Sequence, residues 1–386
     1  MIDKVAVTYS WNRMAYIVNR SLSKRGVQVF TGDSSVVNMN KFSLLGNICF
    51  RYPSFYKSQD DFLVSLKSFL EQNRICNLIP THEEIFIISK YIDRLDGINT
   101  LVPNFESLKI AHKKDSSSSL AKDIGIPVPS TFYPKTEEDC YAFFNNSPKP
   151  IVLKYKNSNS SKGVFYIDSG KQFQDHFRKI GDFVLQEYVR GDGYGVSALY
   201  KEGNMRALFT HKRLKEKVVT GGTSTLRMST RNLELEHYAK LILDRLSWNG
   251  VAMVEFKWDE HQKKGYFIEI NPRFWGSLAL PYYSGMDFPW HYYRIIRDGD
   301  IEFVDNYKLG VKVKWLLGGG LGFLDNLIHN KTFSVSALSA SADYFDDFSI
   351  RDPFVILGEI GYYLAKFFQS MKLNPTKNSS LDIDNI

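Results

Sequence analysis

Two neighbouring stretches constrain this chain more than any other feature. Val251-Ala-Met-Val-Glu-Phe-Lys-Trp258 and Tyr266-Phe-Ile-Glu-Ile-Asn-Pro-Arg273 read as β-strands joined by a polar turn that ends at Gly265. Side chains alternate along a strand, so Glu255 shares a face with Met253, while Ala252, Val254, Phe256 and Trp258 take the other. Strict alternation on the second strand groups Glu269 and Asn271 with Phe267, opposite Ile268 and Ile270. Both faces are apolar, which implies two carboxylates in a strand pair buried on both sides. A buried carboxylate without a partner is costly, so an ion pair, a solvated strand end or a bound cation must compensate. Two carboxylates and an Asn carbonyl are the oxygen donors that Mg²⁺ takes, with nucleotide phosphates filling the remaining positions. Arg273 follows at once, placed to neutralise phosphate oxygens. No His or Cys joins the group, which argues against zinc.

The rest of the chain divides by pattern into four parts. Residues 1–104 alternate short apolar strands (Val5–Tyr9, Val27–Phe30, Asn77–Pro80, Thr100–Val102) with helices over Asn12–Lys24 and Glu83–Leu95, the signature of a parallel sheet. The first turn, Ser10-Trp11-Asn12-Arg13, lacks the GxGxxG of a dinucleotide site. Residues 105–190 open with a helix over Lys109–Gly125 that stops at Gly-Ile-Pro-Val-Pro, then become β-rich, with strands at Ile151–Lys156, Val164–Asp168 and Phe183–Val189. Residues 191–300 hold a hairpin, Tyr194–Tyr200 with Met205–His211, a helix near Leu233–Leu246 and the two carboxylate strands. Residues 301–386 form an extension. Its apolar stretch Phe354–Phe368 reads as a helix too apolar to stand in water alone, expected to pack on the body or a second subunit, with attachment to a membrane surface as the less favoured alternative. The polar end, Asn374–Ile386, is expected to fray.

A second candidate element is Ile151-Val-Leu-Lys154, an apolar strand interrupted by a lysine, followed by Asn157-Ser-Asn-Ser-Ser-Lys-Gly163. Small polar residues between two strands let backbone N–H groups approach phosphates, and a strand lysine adds fixed charge. A plain hairpin turn has the same composition, and the segment is not the GxxxxGK[ST] loop that precedes a helix.

Taken in order, these pieces resemble the ATP-grasp superfamily, in particular carboxylate–amine ligases similar to the large subunit of carbamoyl phosphate synthetase. The resemblance runs through Ile79-Pro-Thr-His-Glu-Glu84, His112-Lys-Lys114, Gly125-Ile-Pro-Val-Pro129, Leu185-Gln-Glu-Tyr-Val189, Tyr194-Gly-Val-Ser197, His211-Lys-Arg213, Thr220-Gly-Gly-Thr-Ser224, Val254-Glu-Phe256 and Glu269-Ile-Asn-Pro-Arg-Phe-Trp-Gly-Ser277. It implies a Rossmann-like first domain, a two-lobed α+β ATP-grasp fold and a mainly helical C-terminal extension. It also implies ATP with Mg²⁺, or Mn²⁺ in its place. Lys114 and Lys154 fall on the phosphate-binding lysines, and Ser160, Ser161 and Gly163 on the phosphate loop. Gln186, Glu187, Tyr188 and Val189 fall on the adenine hinge. Glu255, Glu269 and Asn271 fall on the metal ligands. Arg273, with Lys154, takes the catalytic position beside the transferring phosphoryl group. The sequence departs from the family pattern in a phosphate loop with one glycine, in Lys113 where an acid often stands, and in Asp192 as the sole nearby acid for the ribose. Candidates for substrate contact are Asn12, Arg13, Glu83, Arg213, Gly222, Ser224, Trp275 and Ser277.

The implied reaction turns a carboxylate into an acyl phosphate that an amine displaces, with release of ADP and phosphate. The loop Thr220–Ser224 is expected to close over that intermediate. Two other readings remain: a bicarbonate-using carboxylase or carbamoyl-phosphate-type enzyme, and a catalytically silent nucleotide binder. Composition excludes rather than selects. The 386 residues are 44% hydrophobic and 24% charged, which excludes a disordered chain. The excess of 49 Lys and Arg over 42 Asp and Glu is spread along the chain rather than set in a stripe, which disfavours nucleic acid. Three scattered cysteines, no apolar run of about 18 residues and no leader pattern at Met1–Val7 fit a cytoplasmic protein without a membrane span, monomeric or a homodimer.

Overall fold

The computed structural model describes residues 2–155, 163–177, 179–216, 224–320, 341–370, 381, 383 and 386. A four-stranded parallel sheet comes first: β1 (Lys4–Val7), β2 (Gln28–Asp33), β3 (Ile48–Arg51) and β4 (Leu78–Ile79), in the order β3-β2-β1-β4. Parallel neighbours need crossovers, and α1 (Arg13–Ser23) links β1 to β2 while α2 (Gln59–Gln72) links β3 to β4. Asn12 starts α1 by accepting the Ala15 N–H at 3.0 Å, and Ser58 does the same for α2 at Asp61. α2 buries Phe62, Leu63, Leu66 and Leu70, a helical period that the sequence carries openly. β3 buries Phe50 but leaves Ile48 exposed, so this edge strand has no alternating pattern to betray it. The strand expected over Thr100–Val102 does not form. Asn99 makes a single bridge to Asn77 instead.

After α3 (Glu84–Lys90), two helices replace the single one expected near 109–125: α4 (Phe105–His112) and α5 (Lys114–Asp123). Lys113 between them is extended, with φ −75° and ψ 116°. A small antiparallel sheet follows, ordered β5-β8-β6-β7: β5 (Thr131–Phe132), β6 (Ile151–Tyr155), β7 (Val164–Ile167) and β8 (Phe183–Glu187). With α6 (Glu137–Asn146) and α7 (Gly170–His176) it encloses its own core of Cys140, Phe144, Ile151, Leu153, Phe173, Phe183 and Leu185.

The third sheet has seven strands, ordered β13-β12-β9-β10-β11-β14-β15. They are β9 (Asp192–Lys201), β10 (Asn204–Glu216), β11 (Ser224–Thr230), β12 (Gly250–Asp259), β13 (Lys264–Asn271), β14 (Lys312–Lys314) and β15 (Tyr344–Phe345). One face packs Val196, Ala198, Val254 and Phe256 under α4 and α8 (Leu233–Arg245). On the other, Leu199, Phe209, Val251 and Met253 share a continuous core with α1, α9 (Ala279–Ser284), α10 (Phe288–Asp298) and the first sheet. That shared core locks the first sheet to the third.

The register between β12 and β13 corrects the face assigned to Phe267. Glu255 pairs with Glu269, yet the next residue, Phe256, pairs with Phe267, so Ile268 is an extra residue in a β-bulge. The bulge breaks strict alternation. Phe267 therefore joins Phe256 and Ile270 in the core under α8, opposite the carboxylates.

The extension contributes β14 and β15 to the sheet before its helix, α11 (Val355–Ser370), which lies on the first domain. A Cβ on Gly358 would meet Asn38 O at 2.6 Å, so only glycine permits this approach. Tyr362 stacks on Trp11 with ring centroids 3.9 Å apart. Beneath the helix, Asp346 accepts hydrogen bonds from Arg227 and, at 3.3 Å, from Arg13, whose guanidinium lies 3.5 Å above the Trp315 ring. Most of Asn374–Ile386, the segment expected to fray, lies outside the described residues; within it Ile383 is buried against the core under α8 and the Ile386 carbonyl accepts from Lys90.

Asp346 ties the first domain to the third sheet with no exposure of its own. Removing one partner of such a pair leaves buried charge uncompensated, at a cost of about 3–5 kcal/mol. Asp346→Ala should therefore lose about that much stability in urea denaturation, whereas a loss below about 1 kcal/mol, the level of a surface pair, would contradict the structural role.

Candidate functional site

The site is built on one row across the third sheet. Glu269 on β13 pairs with Glu255 on β12, Glu255 with Gly195 on β9, and Gly195 with His211 on β10. Directly paired residues share a face, so the carboxylates stand side by side. The next row on that face holds Asn271, Met253, Ser197 and Phe209. Two glycines on β9 clear space beside them. A Cβ on Gly193 would lie 2.9 Å from Arg213 Cδ, and one on Gly195 2.3 Å from His211 Cε1. Arg213 crosses β9 through that gap and forms an ion pair with Glu255. Asn271 Nδ2 donates to Glu255 Oε1 at 2.9 Å, and Lys114 Nζ lies 3.8 Å from Glu269 Oε2. His211 Nε2 and Ser277 Oγ are 3.4 Å apart.

The two carboxyls respond differently to this setting. Burial pushes Glu255 above its ordinary range, offset in part by Arg213 and reinforced by the charge of Glu269. Burial opposes ionisation of Glu269 too, but Lys114, Arg213, Lys154 and Arg273 outweigh it and hold the group below its usual value. Lys154 on β6 faces the pair from the smaller sheet. Burial, with Lys114 beside it, pulls its ammonium down to about 8.

Arg273 leaves the end of β13 and donates to Phe274 O at 2.9 Å. Its charge is felt by His82 and Glu83 just after β4, at the carboxyl end of the parallel sheet, where open parallel sheets bind ligands, and by His112 at the end of α4. Burial first, then Arg273, lowers His82 and brings His112 down to about 4, so both rings are neutral. Burial raises Glu83, partly offset by Arg273, and Tyr56 donates to Glu83 Oε2 at 2.9 Å. Tyr9 stacks on His82 at 4.4 Å from a left-handed backbone, φ 58°, where a side chain other than Asn or Asp is uncommon. Trp11 and Tyr362 close this crevice from the side of α11.

The sequence candidates separate by place. Lys114, Lys154, Arg213, Glu255, Glu269, Asn271 and Arg273 converge, and Glu83 joins through Arg273. Gln186 donates to Thr131 Oγ1 at 2.6 Å, and Glu187 accepts the Ser130 N–H at 2.9 Å, so the β8 end is tied to β5. Tyr188 remains half-exposed beside Tyr166, Val189 follows it, and the Gly163 carbonyl accepts from Tyr155. Asp192 is paired to Lys212 at 2.6 Å. Ser160, Ser161 and Gly222 lie outside the described residues, as does most of the loop ending at Ser224, whose hydroxyl donates to Lys215 O and Leu226 O. Asn12 serves as the α1 cap, Arg13 is committed to Asp346 and Trp315, and Trp275 is a core residue against Phe288. His112, Tyr9 and Tyr56 were not among the candidates. His112 lies within the quoted His112-Lys-Lys114 motif, but Tyr56 arrives from 27 residues before Glu83 with no local signal.

The residues fit a hard cation. All donors are oxygens, both carboxylates already draw cationic side chains, and among the described residues no third His, Cys, Asp or Glu completes a cage. The remaining ligands must come from water or a bound phosphate.

Comparison with known proteins agrees with this arrangement. Residues 110–277 match the family profile of an ATP-grasp domain. Over those residues the chain carries an ATP-grasp domain. It is 24% identical over 221 residues to the carbamoyl phosphate synthase large chain of Clostridium acetobutylicum, covering 53% of this chain and 20% of that one. Among solved structures it is similar to an N5-carboxyaminoimidazole synthetase from Staphylococcus aureus complexed with ADP, with TM-score 0.65, 15% identity, and 85% and 86% of the two chains covered. It is also similar to an L-amino acid ligase from Bacillus licheniformis, with TM-score 0.58, 16% identity, and 76% and 74% covered. At these identities the structural likeness is one of fold. The chain spans 12% to 30% of the lengths of five curated relatives that it matches. Lys154 on the four-stranded sheet of β5–β8 lies close enough to Glu269 on the seven-stranded sheet for their charges to interact.

An ammonium that titrates near 8 attracts polyphosphate only while protonated. Affinity for adenosine nucleotide should fall as pH rises from 7 to 9, and Lys154→Arg, always charged, should flatten that fall. Equal slopes for the two proteins in calorimetric titrations would remove Lys154 from the phosphate site.

Proposed function

We propose that this ATP-grasp chain is a carboxylate–amine ligase. The observation that carries the reading is the convergence of Lys114, Lys154 and Arg273 on the Glu255–Glu269 pair, a set of cations around an oxygen-donor site. In the proposed reaction a substrate carboxylate oxygen attacks the γ-phosphorus of ATP. The bond to the β–γ bridging oxygen breaks, and ADP leaves with its electron pair. The amine lone pair then attacks the acyl carbon, phosphate departs with the C–O electron pair, and the amine releases a proton to water.

Such phosphoryl transfer calls for positioning and charge neutralisation more than acid–base groups. Lys114 and Lys154 hold phosphate oxygens from the two lobes, and Arg273 steadies the group in transit between nucleotide and substrate. Mg²⁺ held by Glu255, Glu269 and Asn271 would neutralise the remaining phosphate charge. The β8 end, Gln186 to Val189, lies where the adenine would dock. The crevice of Tyr9, Tyr56, His82 and Glu83 borders Arg273 and would receive the acid or the amine, with its rings excluding water from the acyl phosphate. A full set of charged groups favours an enzyme over a silent nucleotide binder.

An ADP-release screen over amino acids and uronic acids as acids and amines, with mass spectrometry of products, tests the reading. An amide product formed with one ADP per bond is expected. ADP release that depends on bicarbonate alone would replace the ligase with a carboxylase. Glu269→Gln should lower turnover by at least about 100-fold while keeping the wild-type thermal midpoint. An active Glu269→Gln protein would contradict the metal assignment.

A further inference from the structure

The outward face of α11 has no role in the site, and we propose that it docks on a lipid surface carrying anionic headgroups. Val355, Glu359 and Tyr362 face the body and are buried. At 100° per residue, Leu357, Leu364 and Phe368 fall within about 40° of one another on the opposite side. They are 50%, 52% and 71% exposed. The glycines keep the helix pressed to the first domain, since a Cβ on Gly358 or Gly361 would approach Met39 or Val37. The stripe is thereby held outward.

The patch extends beyond the helix. Asp352 accepts from Leu44 N at 2.9 Å and from Ser43 Oγ at 2.7 Å, which draws the turn after the first domain's β2 against the start of α11. Exposed Leu44 is thereby held to the segment that carries exposed Ile350 and Phe354, and exposed Phe42 lies against Gly358. Seven large exposed apolar side chains on these joined segments exceed what scattered surface hydrophobes explain.

Charge selects the occupant. Residues 36–51 contain no acid, and the two acids of 350–368, Asp352 and Glu359, are each 1% exposed. Lys41 and Arg351 are exposed on the same segments. A second copy meeting this face about a two-fold axis would present the same two segments, which offer Lys41 and Arg351 no exposed acid to pair with. Anionic headgroups pair with the cations while Leu and Phe enter the acyl boundary. Among the described residues no helix is long and apolar enough to cross a membrane, so α11 lies along the surface.

The test is co-sedimentation of the full chain with phosphatidylglycerol/phosphatidylcholine vesicles and with phosphatidylcholine vesicles alone. The wild type should bind the anionic vesicles and lose binding as salt rises. Leu364→Glu with Phe368→Glu should weaken that binding at least about tenfold, and Lys41→Glu with Arg351→Glu should weaken it on anionic vesicles only, with thermal midpoint and nucleotide affinity kept throughout. Three results would overturn the proposal. They are no binding to either vesicle, a dimer that the Leu364→Glu/Phe368→Glu protein loses, or unfolding of that double variant, which would mean the chain itself covers the face.

Discussion

Glu255 and Glu269 stand opposite one another on adjacent strands, and two carboxylates at that spacing repel unless cations stand close. The surrounding structure supplies those cations from separate directions. Arg213 reaches Glu255 across the gap left by Gly193, and Lys114 reaches Glu269 from the break between α4 and α5. Lys154 comes from the four-stranded sheet of β5–β8 and Arg273 from the strand's own end. Two of these approaches depend on a local backbone feature, the β9 glycines for Arg213 and an extended Lys113 for Lys114. The arrangement gathers four cationic side chains around two carboxylates.

The first domain is joined to this centre by more than proximity. Its sheet shares one apolar core with the third sheet, and the end of β4 places His82 and Glu83 within the field of Arg273. α11 completes the crevice from the far side by stacking Tyr362 on Trp11, and the Arg13–Asp346–Arg227 link fixes the extension to both domains. A change in the extension therefore reaches the crevice through aromatic contacts rather than through the charged groups.

Much of this was legible in the sequence because it rests on local pattern. The strands carrying Glu255, Glu269 and Lys154, the hairpin of β9 and β10, and α11 all follow periodicity of two or 3.6. What was not legible depends on geometry between elements. No sequence signal marks Ile268 as a bulge, yet that one residue decides which face Phe267 takes. Arg213, read as a substrate contact, is within reach of Glu255 only because β9 has glycines at 193 and 195. Arg13 suited an anion on its own but is held by Asp346, which is 333 residues away in sequence. The Tyr9–His82 stack joins the ends of two different strands, a contact that only the parallel sheet creates.

The most direct test of the account is calorimetric titration of the intact chain with ATP, in the presence of Mg²⁺ and after chelation. If the carboxylate pair and its cations form a metal–polyphosphate site, binding saturates below millimolar nucleotide with metal and weakens markedly without it. Absence of binding at millimolar nucleotide, or an affinity indifferent to the metal, would contradict it.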